Sequence, residues 1–133
     1  MSFDTKLTED YMGIIHVGSG IVTGQEILEA CRVVTALVQT TENFHYKLVD
    51  FSGANDLQIT PEELQEIVEE DRLIAAARPN ATIVIVVPDE KMRAIAKHWQ
   101  NLVVTLGWNT HIVESRAEAL DWLLANAGVA VET

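Results

Sequence analysis

Few of the 133 residues carry side chains able to hold a ligand or move a proton, and their spacing decides what each could do. Asp50 and Ser52 close the apolar run 46–51 (YKLVDF), which reads as a strand. The carboxyl edge of a parallel sheet is where α/β proteins take ligands, so both are candidates for contact with a ligand or partner. The same carboxylate is suited to accept backbone N–H groups around Ser52 to Ala54, and this loop-stabilising role is the favoured one. Asp71 falls on an apolar helical stripe, between Ile67 and Ile74. A carboxyl buried there could be pushed up and serve as an acid or base, whereas a small rotation of the helix would return it to the solvent boundary.

Other motifs fail on spacing. The run Gly18-Ser19-Gly20-Ile21-Val22-Thr23-Gly24 follows a strand and precedes a helix, but it is G-x-G-x-x-x-G where a dinucleotide loop needs G-x-G-x-x-G. Its helix also starts after Thr23, too late to meet a pyrophosphate, so a turn is expected. His16, His45, His98 and His111 fall on separate elements with no metal-ligand spacing. Structural or surface roles are expected for them, with His16 and His111 able to alternate outward from strands. Cys31 lies mid-helix on an apolar face, which makes a buried, inert thiol. Trp99 is core by periodicity. Trp122 lies off the main inner face of its helix, where it either covers a helix edge or meets a partner.

Strands and helices alternate along the chain. Residues 11–17 (YMGIIHV) read as a strand ended by Gly18-Ser19-Gly20, with 3–7 as a possible hairpin partner. Thr23 and Glu26 make a capping box for a helix reaching about Thr40, with Ile27, Cys31, Val34 and Val38 on one face. After strand 46–51, residues 54–58 read as a polar connection to Thr60, an N-cap with Pro61 in the first helical position. The helix that follows carries six acids, Glu62, Glu63, Glu66, Glu69, Glu70 and Asp71. The unbroken β-branched run 82–87 (TIVIVV) has no polar face to offer water, so it is expected inside a parallel sheet with helices on both faces. Asp89 caps the next helix, which Gly107 stops. Strand 110–113 and a last helix, capped by Ser115 with Glu118 and ending near Gly128, complete a single domain over 1–128. Residues 129–133 are expected to form a loose tail.

Composition narrows the partners. Lys and Arg number 9 against 20 Asp and Glu, a formal charge of −11 that disfavours nucleic acid and anionic lipid surfaces. An apolar content of 48% suffices for a core. The single cysteine fits a reducing, cytoplasmic setting. No run suggests membrane insertion, and the first residues lack the pattern of an export signal.

The order of elements, with Lys47-Leu48-Val49-Asp50-Phe51-Ser52, Thr60 opening an acidic helix, and Glu118-Ala119-Leu120-Asp121-Trp122-Leu123, resembles the SpoIIAA-like branch of STAS-type domains over nearly the whole chain. The resemblance implies an α/β fold with a four- or five-stranded, mostly parallel sheet and four helices, related to anti-sigma-factor antagonists and to the lipid-carrying CRAL-TRIO fold. In those antagonists the D-F-S strand end is followed by D-S-S-G, whose second serine is phosphorylated by a partner kinase. Counted without gaps from Asp50, that segment falls on Gln58-Ile59-Thr60-Pro61. The resemblance therefore makes Thr60 the candidate phosphoacceptor or regulatory residue. Ile59 and Pro61 depart from the pattern, so a kinase would meet a different loop.

The expected function is a non-catalytic regulatory or protein-interaction domain, with a protein partner and no cofactor or metal. The alternative is a carrier or sensor of a small apolar molecule or lipid in a helix–sheet cavity. No nucleophile, base and orienter converge in readable spacing, which puts an enzyme third. A homodimer through an apolar patch around Trp122, avoiding the acidic face, is a further expectation.

Overall fold

The computed structural model describes residues 2–10, 12–40 and 44–131. Five strands lie side by side in chain order: β1 (Phe3–Leu7), β2 (Gly13–Thr23), β3 (Tyr46–Gln58), β4 (Thr82–Val86) and β5 (Asn109–Val113). β1 runs antiparallel to β2, and the other three pairings are parallel. With neighbours in sequence order, crossovers of one hand must set successive helices on the same face. Helices α1 (Gly24–Val38), α2 (Pro61–Ala77) and α3 (Glu90–Val103) accordingly share a core with Ile14, Val49, Phe51, Ile83 and Ile85. Among the described residues, helix α4 (Arg116–Ala127) alone covers the opposite face, where Ala119 and Leu123 meet Ile15, Leu48, Val84 and Val86. The alternation of odd and even residues between the two cores is the pleat of the strands. The result is a single α/β domain. The 82–87 run supplies β4, paired on both sides and covered on both faces.

Each helix starts where a side chain satisfies free N–H groups. Thr23 and Thr60 form reciprocal capping boxes with Glu26 and Glu63. Asp89 accepts from Met92 N–H at 2.9 Å, and Ser115 accepts from Glu118 N–H at 3.2 Å. Gly107 and Gly128 close their segments in the left-handed conformation.

Two expected boundaries are corrected. Gly18-Ser19-Gly20 does not end its strand, and residues 54–58 are not a connection; β2 continues to Thr23 and β3 to Gln58, paired with each other. The register slips between Val17 and Ser19 and again between Gly20 and Ile21, each time with an extra residue on β3. These bulges destroy the simple alternation that marks a strand in sequence. Glycine makes the slips feasible: Gly20 sits at φ +60°, and a Cβ on Gly18 would lie 2.8 Å from the Phe51 ring. Ala54 and Leu57 anchor the extension in the core. β4 pairs with β3 only up to Asp50, so the ends of β2 and β3 project as a ribbon beyond the carboxyl edge of the sheet.

At the C-terminus, the stretch expected to be loose begins docked: Val129 is buried, and Val131 packs against the same cluster. Tyr11, in the expected first strand, and residues 132–133 lie outside the described residues. Among those described, no helix is long and apolar enough to cross a membrane.

Because α4 is the helix that covers this face, its anchor should be costly to remove. Leu123→Ala, fully buried, is expected to lose about 2–5 kcal/mol in urea denaturation. Leu124→Ala, one position on and exposed, is expected to change stability by about 0.5 kcal/mol or less.

Candidate functional site

At the carboxyl edge of β3 the pleat turns Asp50 toward the α4 face. Its Oδ1 accepts from Ser52 N–H at 2.8 Å, and its Oδ2 accepts from Arg116 Nη1, also at 2.8 Å. Burial would raise this carboxyl, but the Ser52 and Arg116 donors outweigh it and hold the group below its ordinary value. Asp50 thus fastens the start of α4 to the end of β3. Ser52 is exposed just beyond it, followed on the ribbon by exposed Gly53, Asn55 and Gln58. Lys91, at the start of α3, pairs with Asp56 and braces the ribbon from the side.

Thr60 is exposed at the same edge, directly after the ribbon. Its hydroxyl accepts from Glu63 N–H at 3.1 Å, and Thr60 N–H donates to Glu63 Oε1 at 2.9 Å. The candidate phosphoacceptor is therefore a working helix cap. Trp122 is elsewhere: it stacks on His111 of the edge strand β5, with ring centroids 4.8 Å apart and planes at 16°. Asp50, Ser52 and Thr60 share one edge; Trp122 does not belong to it.

A second polar group lies inside the protein, under α1, α2 and α3. Asp71 is buried, and its Oδ2 accepts from the Trp99 indole N–H at 2.7 Å, which ties α2 to α3 through the core. His16 is not turned outward from its strand. It is buried between Phe3, on which it stacks, and the helices, with Nδ1 2.7 Å from the Thr5 hydroxyl. Lys47 is buried on the same side of β3. Cys31 faces this region too, and burial pushes its thiol up to about 12, which makes it inert at neutral pH. These residues, with apolar neighbours, line a cavity of about 70 Å³. Sequence reasoning missed Lys47 and Arg116. The signal for Lys47 was present: a lysine inside an apolar strand flanked by other strands has nowhere to point but inward. Arg116 gave none, because its partner is far away in sequence. Among the described residues, no three His, Cys, Asp or Glu are placed to hold a metal ion.

The interior groups predict pH behaviour of opposite sign. Burial, then Lys47, lowers the His16 pKa well below its ordinary value, so the folded protein holds it neutral. Unfolding frees an imidazole that takes a proton below about pH 6.5, so stability falls as pH drops through that value; His16→Gln should lack this part of the slope. Burial raises the Asp71 carboxyl against the opposing effects of Lys47 and Trp99, so this group costs stability as pH rises above about 3.9. Asp71→Asn keeps an oxygen for the Trp99 indole and should be at least as stable as wild type at pH 7. Asp71→Ala orphans the indole and should lose about 1–3 kcal/mol. Urea titrations at several pH values check all three variants.

No family model matches the sequence, and no curated protein matches it. Solved structures do match in fold. The anti-sigma factor antagonist SpoIIAA in its unphosphorylated form aligns with a TM-score of 0.59 at 10% identity, over 91% of this chain and 96% of that one. The phosphorylated form of the Bacillus cell fate determinant SpoIIAA aligns at 0.57 and 10% identity, over 91% and 98%. An uncharacterised protein of the DUF3478 family from Shewanella loihica PV-4, with a SpoIIAA-like fold, aligns at 0.52 and 12% identity, over 91% of each chain. The chain therefore has a SpoIIAA-like fold.

Proposed function

We propose that this chain is a non-catalytic regulatory domain of STAS type that works by binding another protein at the carboxyl edge of its sheet. The observation that carries this reading is the ribbon: Ser52, Gly53, Asn55, Gln58 and then Thr60 stand exposed in one continuous edge, held by the Asp50–Arg116 and Asp56–Lys91 pairs. A braced polar edge can present backbone and side-chain groups to a partner with little ordering cost. The fold is shared with a protein described as an anti-sigma factor antagonist, which supports a regulatory role. The chemistry points the same way. Asp50 is occupied by Ser52 and Arg116, and the Asp71 carboxyl lies in the core with the Trp99 indole, so neither is set out for turnover.

Thr60 serves this edge first as a cap. A phosphate there would gain from the start of α2 but would face Glu62 and Glu63, two like charges that oppose it. Carriage of a lipid, the second reading, meets a volume limit. A cavity of about 70 Å³ is less than half the roughly 150 Å³ that admits benzene, too little to enclose an acyl chain. Self-association through the half-buried Trp122 is a further part of the proposal, and sedimentation showing only monomer at high micromolar concentration would remove it.

Two measurements test the reading. Protein partners recovered from the native cells by affinity capture and mass spectrometry should be lost on Ser52→Arg/Asn55→Arg and kept on Ala125→Arg, a control on exposed α4. Retention by the ribbon variant, or reproducible turnover abolished by Asp50→Asn, would contradict it. Thr60→Ala should cost about 1 kcal/mol while Thr60→Asp, which also caps, keeps the stability. A stoichiometric phosphate mapped to Thr60 in protein from its native cells would make the edge a switch rather than a constant surface.

A further inference from the structure

We propose that the cavity between β2, β3 and the helices α1, α2 and α3 is a binding site for a small monocarboxylate, with Lys47, His16 and Asp71 at its polar end. Two buried polar atoms at this cavity, His16 Nε2 and Asp71 Oδ1, have no hydrogen-bond partner among the described residues. Lys47 is buried beside them, and it makes no ion pair within 4.0 Å among those residues. Buried groups of this kind are nearly always paired. Two such atoms on one small cavity, with the Lys47 side chain beside them, mark a place built for something that pairs with them.

The chemistry selects the occupant. At about 70 Å³ the cavity has room for roughly two waters or a molecule of about three to five heavy atoms. Trp99 already takes Asp71 Oδ2, and burial favours the protonated carboxyl, which leaves Oδ1 free to act as an O–H donor. The Thr5 hydroxyl lies 2.7 Å from His16 Nδ1, and in the tautomer in which it donates there, Nε2 carries the ring hydrogen and is left as a donor. One ammonium and two neutral donors then converge, which suits a carboxylate. Ile27, Val49, Ile67 and Ile85 offer only apolar wall, which fits a short alkyl group and rejects phosphate or sulfate, whose further oxygens would be left bare. Binding would join the sheet to α1, α2 and α3 through one molecule. This site is separate from the ribbon, and neither proposal depends on the other.

Wild-type protein labelled with ¹⁵N is titrated with acetate, propionate and butyrate, and in parallel with acetamide and propionamide. The Trp99 indole N–H, bonded to Asp71, is the reporter, and the indoles of Trp108 and Trp122 are the controls. A saturable shift confined to Trp99 is expected at about millimolar concentration, in keeping with so small a ligand, and at least about tenfold weaker for the amides. Octanoate, too long for the cavity, should bind at least about tenfold more weakly than propionate. Lys47→Met, with its fold checked by the same spectrum, should abolish the shift. No saturable shift with any carboxylate, equal affinity for the amides, or unchanged binding by a folded Lys47→Met would overturn the proposal. If Lys47→Met does not fold, the comparison of acids with amides on wild type decides.

Discussion

Strand β3 is covered on both faces over its first half, so every polar side chain it carries there must find its partner inside the protein. Lys47 turns toward the three-helix face and Asp50 toward α4, as the pleat requires of residues an odd number apart. Asp50 solves the problem with Ser52 and Arg116, and the solution fixes where α4 begins. Lys47 shares its compartment with His16 and Asp71 instead, in a space that the apolar side chains do not close. A polar side chain placed among apolar ones is costly unless something there pairs with it. A fold that needed only a core would be expected to place an aliphatic residue at position 47.

The two faces therefore do different work. The α4 face is small, with Ala119 and Leu123 packed on Ile15, Leu48, Val84 and Val86 and the Asp50–Arg116 pair at its edge. The other face carries three helices, the Asp71–Trp99 bond that ties two of them together, and the cavity. Beyond both, the bulged ends of β2 and β3 leave the sheet and form the ribbon that leads to Thr60. The ribbon at the edge and the buried Lys47 both belong to one strand, β3, which runs on past the end of β4.

Much of this was legible in the sequence. The alternation of strands and helices, the buried β4 run, the helix caps at Thr23, Thr60, Asp89 and Ser115, and the inward face of Trp99 follow from local pattern, because each depends on residues within a few positions of one another. The ribbon did not, since two bulges break the period of two on which strand recognition rests, and its glycines imitate a turn. The site was legible only in part. Thr60 as a cap is local, whereas the Asp50–Arg116 pair and the meeting of His16, Lys47 and Asp71 arise from tertiary packing across distant elements. For Asp71 the sequence left a choice between interior and boundary, and the Trp99 indole, fixed one helix away, settles it inside.

The most direct test is a high-resolution crystal structure of the protein purified without added ligand. The account predicts the Lys47 ammonium inside the protein, with ordered density linking it to Asp71 Oδ1 and His16 Nε2. A Lys47 side chain turned out to solvent, with apolar groups closed over its place and Asp71 and His16 paired to one another, would contradict it.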